Sequence, residues 1–251
     1  MKFAPIIYLI GMLLCILSLF MLIPALVDWF YGSRDWPAFI ASSLTTLIVG
    51  GALFLSARGS ATEHLELRQA FLLTNSAWIS IALFGSLPFL FSDINMSITD
   101  AIFESTSGIT TTGATVIDTL DSTSHGILIW RALLQWLGGI GIIVMALAIL
   151  PMLSIGGMQL FKTESYETPD KVVPKAASFA AGISIVYITL TIAWAFMLWG
   201  AGMPIFDSVA HAMTTLATGG YSTKSSSLAA FNSSIIEFII IFGMIVGSLP
   251  F

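Results

Sequence analysis

The sequence predicts an all-α polytopic membrane protein: an N-terminal two-helix hairpin followed by two helix–half-helix–helix units. Three observations predict it. First, 57% of the 251 residues are apolar and only 9% are charged, against about 25% charged in an average soluble domain; mean hydropathy is +0.95. So few polar groups cannot cover a soluble fold of this size. Second, six weakly charged runs are long enough to cross a bilayer, which takes about 20 residues of helix. Third, two shorter apolar segments each end in a Thr/Gly stretch. The same arithmetic excludes other classes. A single cysteine, Cys15, excludes a disulfide scaffold, and the apolar excess excludes disorder. Nine Lys+Arg against 14 Asp+Glu leave no basic surface for nucleic acid. The apolar runs are continuous rather than alternating, unlike barrel strands.

The first run, 3–27, is free of charge for 25 residues. That exceeds the roughly 7–15 apolar residues of a cleaved signal, and no small-x-small site follows, so it reads as a retained span. Runs of 22, 24, 30 and 31 residues follow at 36–57, 69–92, 132–161 and 176–206, and the last, 231–251, has 21 residues and one charge, Glu237. Under alternate crossing, Lys2, Arg58, Arg68, Lys162, Lys171 and Lys175 fall on one side, and Arg34 and Lys224 in loops on the other. The basic excess places the N-terminus in the cytoplasm. Arg131, at the outer start of the fourth span, is expected to snorkel outward. Asp28, Asp35, Asp93, Asp100, Glu104, Asp118, Asp121 and Asp207 fall on or near the outer side. They either solvate loops, as Asp28 and Asp35 are expected to do at the interface, or form an acidic mouth that concentrates cations.

Between the third and fourth spans, a short helix is expected over about 98–110. Ser97 or Thr99 can cap it, and Asp100 suits its first turn. Twelve residues at 1.5 Å each make roughly 18 Å, half a membrane. Thr110-Thr111-Thr112-Gly113-Ala114-Thr115 follows, and the chain leaves through VIDTLDSTSH on the side it entered: a re-entrant loop. After the fifth span, Gly200-Ala201-Gly202-Met203-Pro204 breaks the helix, with Pro204 suited to a first helical turn. A second short helix is expected over about 205–217, then Thr218-Gly219-Gly220-Tyr221-Ser222. A shift of 107 pairs Asp100 with Asp207, Glu104 with His211, Thr111 with Thr218 and Gly113 with Gly220, which reads as an internal repeat. The expected organisation is a hairpin with its inner loop (1–66), a first unit (67–162), a cytoplasmic loop (163–175) and a second unit (176–251).

Extended backbone at membrane depth is tolerated only where it is buried in protein or lines a water-filled cavity. In a cation filter the carbonyl oxygens replace the ion's hydration shell. Glycine allows the dihedrals that aim successive carbonyls one way, threonine adds a hydroxyl acceptor, and a half helix turns its negative C-terminal end toward the ion. The candidate cation-coordinating residues are therefore Thr111, Thr112 and Gly113 of segment 111–115 and Thr218, Gly219 and Gly220 of segment 218–222. Tyr221 is expected to pack behind its segment, and Glu104 and His211 near the outer mouth rather than in the supporting shell. Glu237 is a functional candidate by its place in an apolar run, unless it reaches the outer interface. Gly138, Gly139 and Gly141 permit close helix packing, and Cys15 is inert. No P-loop, HExxH or GxSxG occurs, and His64, His125 and His211 lack metal-ligand spacing, so no enzyme is expected. The alternative is a secondary transporter of a small solute, which also uses broken helices.

The two segments resemble the potassium-filter pattern TVGYG: each keeps the first Thr and the central Gly, the second also keeps the Tyr, and both lack the final Gly. One dependable glycine per repeat is similar to the Trk/Ktr/HKT superfamily of potassium transporters. SLPF at 86–89, TTTGAT at 110–115 and LQWLGGIGIIV at 134–144, followed by ILP and IGGMQL, resemble the bacterial Trk-type (TrkH/TrkG) family over essentially the whole chain. The hairpin ahead of the first unit favours Trk over Ktr. The resemblance implies pore repeats of the potassium-channel type. It implies potassium uptake across the bacterial inner membrane through a carbonyl-lined selectivity filter, by symport or channel-like flux, with K⁺ as the transported, metal-binding partner and no organic cofactor in this chain. It further implies a homodimer and a cytoplasmic nucleotide-binding regulatory subunit of the TrkA type, facing the loop at 156–175. The family carries four pore repeats. Two are present here, so the chain is expected to be the N-terminal half, with repeats 3 and 4 missing; assembly of four repeats from two copies is the alternative.

Overall fold

The computed structural model describes residues 3–60, 67–153 and 172–249. Among them every regular element is helical. In chain order these are α1 (Ala4–Phe20), α2 (Leu22–Tyr31), α3 (Trp36–Ser56), α4 (Leu67–Gly85), α5 (Leu87–Phe91), α6 (Ile98–Ile109), α7 (His125–Leu153), α8 (Val172–Gly200), α9 (Ile205–Leu216) and α10 (Ser234–Gly247). Among the described residues, four stretches are long and apolar enough to cross a membrane: Ala4–Tyr31, Trp36–Ser56, Arg68–Phe91 and Ala181–Gly200. The fourth and sixth expected spans correspond to α7 and to the 14-residue α10. Most of the expected inner loop at 163–175 lies outside the described residues.

Two spans are broken where the hydropathy pattern is continuous. Proline lacks an N–H, and its ring clashes with the carbonyl four residues earlier. Pro24 does this at Phe20, where α1 ends, and Pro88 at Phe84, one residue before α4 ends. The first span also runs past its expected end at Val27. It continues through Asp28 to Tyr31 and stops at Gly32 (φ 70°), with Ser33 N–H donating to the Asp28 carbonyl at 2.9 Å.

The hairpin is closed by contact between small residues. A Cβ on Gly11 would lie 2.8 Å from the Gly50 carbonyl oxygen, and one on Gly50 2.8 Å from Leu14 Cβ. Small residues let helix backbones approach where lipid supplies no hydrophobic drive for association. Ser43 Oγ adds a 2.7 Å hydrogen bond to the Ser18 carbonyl across the pair.

Two acids tie the hairpin to the rest, which corrects their reading as interfacial loop charges. Asp28 is fully buried, and its Oδ1 accepts from Gly126 N–H at 2.6 Å. It caps the first turn of α7 from another helix, where an anion meets the positive helix end. Asp35 is also buried and accepts from Asp93 N–H at 3.0 Å. Nearby the Tyr31 and His125 rings stack at 4.0 Å, with Phe206 edge-on to His125 at 4.7 Å. Hairpin, α7 and α9 thus meet at one end of the bundle. Around this frame Trp130, Leu133 and Leu134 of α7 pack with Phe39 and Phe89 in one core, and Trp194, Leu198, Leu216 and Ile240 form a second.

Capping by Asp28 has a measurable consequence. Asp28→Ala is expected to lower stability by about 1 kcal/mol, the usual cost of a lost N-terminal acceptor. Gly126→Ala should cost about 1–3 kcal/mol by overpacking, because its methyl group would collide with the Asp28 carboxylate and Phe39. Thermal unfolding in detergent reads both as a lowered midpoint; unchanged midpoints would remove the capping role.

Candidate functional site

The two half helices match their expected bounds to within a residue, and each has 12 residues. Ser97 is the cap of α6: Asp100 N–H donates to Ser97 Oγ at 3.1 Å, and Ser97 Oγ donates to Asp100 Oδ2 at 2.7 Å. Pro204 stands at the N-cap of α9, one residue before the first helical turn in which it was expected.

Both half helices end in the same lock. Thr111 N–H donates to the Gly108 carbonyl (3.0 Å) and Thr112 N–H to the Ser107 carbonyl (2.9 Å). Thr218 N–H donates to the Thr215 carbonyl (3.0 Å) and Gly219 N–H to the Thr214 carbonyl (2.9 Å). This is the double closure of a helix C-terminus whose following residue is left-handed. Thr111 has φ 55° and Thr218 φ 52°; two residues on, Gly113 and Gly220 both have φ 80°. The 107-residue shift therefore superimposes conformation as well as sequence. Glycine adopts positive φ freely. A β-branched residue there is an outlier, costing of order 1–3 kcal/mol, and such strain persists only where the surroundings over-determine it.

Those surroundings are built behind the segments. Glu104 is fully buried; its Oε1 accepts from Arg131 Nε (2.7 Å) and Thr115 Oγ1 (3.0 Å), and its Oε2 from Val116 N–H (3.0 Å). Arg131 is 1% exposed. Instead of snorkelling outward it turns inward, donates from Nη1 to the Ser222 carbonyl at 2.9 Å, and lies 4.0 Å over the Tyr221 ring. Tyr221 packs behind the segments, its hydroxyl 3.0 Å from the Glu104 carbonyl and 3.2 Å from the Ala114 carbonyl. His211, at the position matching Glu104, bonds Ser222 Oγ at 3.0 Å, the position matching Thr115. Glu104 and His211 thus belong to the supporting shell rather than to packing at the mouth. Asp207, also buried, accepts from Thr223 Oγ1 at 2.5 Å. Glu237 is exposed in the first turn of α10, where an acid offsets the helix dipole.

The segments touch each other. A Cβ on Gly113 would collide with the Gly219 carbonyl oxygen, and one on Gly219 with the Gln135 carboxamide. Gln135 is fully buried and accepts from Tyr221 N–H at 3.1 Å. A Cβ on Gly138 would collide with the Ile109 carbonyl, and one on Gly139 would lie 3.2 Å from Ala217 Cα, so α7 seats the ends of both half helices. Gly141 has only Trp78 at 4.0 Å and makes no such approach. Of the six candidate residues, Gly219 is buried, Thr111 and Gly113 are half-buried, and Thr112, Thr218 and Gly220 are exposed. A cavity of about 330 Å³ runs beside the second segment, lined by His211, Thr214, Thr218, Gly220 and Met244 among others. The exits are also joined: Leu120 N–H donates to Ser225 Oγ at 3.1 Å.

Sequence reasoning missed Gln135, Ser222 and the inward turn of Arg131. The signal was present. Arg131, Gln135, Gly138 and Gly139 recur at helical spacing along an otherwise apolar run, and ionisable groups in a span face the protein interior. Among the described residues no group of three or more His, Cys, Asp or Glu could hold a metal.

Comparison with known proteins identifies the family and agrees with the fold. Residues 36–251 match the family described as TrkH, cation transport protein. The chain is 43% identical over 243 residues to the Trk system potassium uptake protein TrkH of Salmonella typhimurium, and equally to that of Escherichia coli K12; the alignments cover 96% of this chain and 50% of each relative. The crystal structure of the potassium transporter TrkH from Vibrio parahaemolyticus superimposes with a TM-score of 0.88 at 40% identity, covering 98% of this chain and 50% of that one. The chain spans about half the length of these relatives. It belongs to the TrkH family of cation transport proteins, which are membrane transporters and not enzymes.

Proposed function

We propose that the chain contributes two pore repeats to a Trk-type transporter that takes up K⁺ across the bacterial inner membrane, with segments 111–115 and 218–222 as two carbonyl-bearing walls of its selectivity filter. The observation that carries this reading is the paired left-handed geometry at Thr111 and Thr218 and at Gly113 and Gly220. Left-handed residues at alternate positions reverse the normal alternation of the peptide planes and so can aim neighbouring carbonyls to one side; the next carbonyl, of Ala114, is anchored behind by Ser107 Oγ and the Tyr221 hydroxyl. A dehydrating K⁺ needs that concave row of oxygens. The half helices add the negative ends of their dipoles. The potassium transporters named among the relatives support the choice of ion. A carrier of an organic solute needs broken helices, but not two Thr/Gly segments matched in dihedral angle and in the lock beneath them.

In this reading 1–66 is the peripheral hairpin, 67–162 is the first repeat, and the second begins with α8 at Val172, four residues before the expected start at 176; the cytoplasmic loop expected before it, on the side of the N-terminus, lies outside the described residues. The family resemblance extends the proposal to a homodimer, to a nucleotide-binding regulatory subunit of the TrkA type at that loop, and to symport as a mode of coupling.

Growth of a potassium-uptake-deficient bacterium at limiting K⁺ tests the function. The complete reading frame containing this chain is expected to rescue growth; no rescue, with the protein in the membrane, would bring the solute carrier forward. Substitution tests the filter. Gly220→Ala meets no neighbour within 4 Å but is strained at φ 80°, whereas Gly113→Ala is strained and also meets the Gly219 carbonyl. Both should lower K⁺ selectivity over Na⁺ in Rb⁺ uptake competed by Na⁺, Gly113→Ala the more severely. Normal selectivity in both, at normal expression, would remove the assignment. Thr218→Gly should separate stability from function. It is expected to raise the thermal midpoint, by about 1 kcal/mol in stability, because glycine relieves the left-handed strain, while K⁺ selectivity falls with loss of the hydroxyl. A lowered midpoint would show that Thr218 is not strained.

A further inference from the structure

We infer that Arg131 is a selectivity-setting positioning residue: held by Glu104 behind the first segment, it grips the second and makes the two segments one rigid unit. The inference rests on the filter reading above and deepens it.

The contacts form a closed circuit between the repeats. Glu104 holds the first segment through Thr115 Oγ1 and Val116 N–H, and takes Arg131 Nε at 2.7 Å. Arg131 reaches the second segment through the Ser222 carbonyl at 2.9 Å and the face of Tyr221 at 4.0 Å. Tyr221 returns to the first segment, with its hydroxyl against the Glu104 and Ala114 carbonyls. Ser222 is therefore held twice, by Arg131 on its carbonyl and by His211 on its side chain. The arrangement is not a general property of the repeat. The residue 107 positions beyond Arg131 is Phe238, which is 72% exposed.

Stability alone does not account for the pair. Burying two full charges costs as much as their attraction returns, and apolar side chains of equal volume often serve as well or better. What an arginine adds is geometry: a planar fork that donates in two directions at once and stacks on an aromatic face. Here one edge of the fork serves each repeat. The carboxylate cancels the guanidinium's charge, so the strap adds no net positive charge beside a cation pathway. Selectivity by carbonyl oxygens depends on their number and placement, and placement across two repeats is what this strap controls.

The test uses the complete reading frame containing this chain, with Rb⁺ uptake competed by Na⁺. Arg131→Lys keeps the charge and its partner but cannot bridge Glu104 and the Ser222 carbonyl with one ammonium. It should accumulate normally, keep its thermal midpoint, and lose about tenfold in selectivity, as for one charge-assisted hydrogen bond. The double variant Glu104→Gln with Arg131→Gln removes both buried charges and, with the shorter side chain at 131, the bridge between the repeats, and should show the same loss. A merely structural arginine would change midpoint or abundance and leave the ratio alone. Wild-type selectivity in both variants, while Gly113→Ala and Gly220→Ala lower it, would overturn the strap and leave the filter standing. Wild-type selectivity in all four would overturn the filter and the strap with it.

Discussion

Backbone that is neither helix nor closed sheet is the constraint on which this structure turns. In a bilayer each unpaired N–H or carbonyl costs several kcal/mol, yet two segments leave their half helices part-way along the bundle. Each is retained because both of its sides are provided for. The N–H groups at the start of each segment fold back onto the helix below, at Thr111, Thr112, Thr218 and Gly219. Further along, Val116 N–H is taken by Glu104 and Tyr221 N–H by Gln135. The Ala114 carbonyl is held from behind as well, by Ser107 Oγ and the Tyr221 hydroxyl, and the Ser222 carbonyl by Arg131; in the proposed filter it is the carbonyls not so engaged that would face an ion.

Helix α7 supplies much of that backing from a single face. Arg131, Gln135, Gly138 and Gly139 follow one another at four, three and one residues, the spacing of a helical stripe. The first two reach out with charge and amide, and the last two withdraw so that Ile109 and Ala217 can approach. Long and absent side chains on one stripe thus fit two segments from different repeats. Asp28 fixes the N-terminal end of the same helix through Gly126 N–H. The hairpin, remote from the segments in sequence, therefore bears on where that stripe sits.

Much of this was legible in the sequence, for physical reasons that differ by element. The half helices were readable because a start signal, Ser97 in one and Pro204 in the other, an apolar stretch of half-membrane length and a Thr/Gly stop occur in that order twice. The pairing of Gly113 with Gly220 was readable because positive φ selects glycine. Breaks at Pro24 and Pro88 were less visible, since hydropathy averages over a single missing N–H. Charges were misplaced most. Asp28 and Arg131 border apolar runs and Glu104 sits in a short helix between two of them, places where a one-dimensional reading assigns charge to the interface. Their burial depends on partners 98 and 27 residues away, and no local pattern encodes those separations. Glu104 and His211 illustrate the same limit: carboxylate and imidazole share no chemistry in sequence, yet at matching positions they hold matching residues, Thr115 and Ser222.

Threonine in the left-handed region occurs at both matching positions, although glycine would relieve the strain at no steric cost. A helix C-terminus alone gives no reason to keep it, since glycine is the residue that this lock prefers. A β-branched side chain set against that preference, twice and with the same φ to within 3°, fits the proposal that the hydroxyl serves the filter where the helix ends. At that point the helix dipole is most negative. In the proposed filter, oxygen from that side chain would join oxygen from the backbone at a spot where a cation gains from both. The strain is the cost of placing it there, and the buried circuit through Glu104, Arg131 and Tyr221 is what keeps the backbone from relaxing out of it.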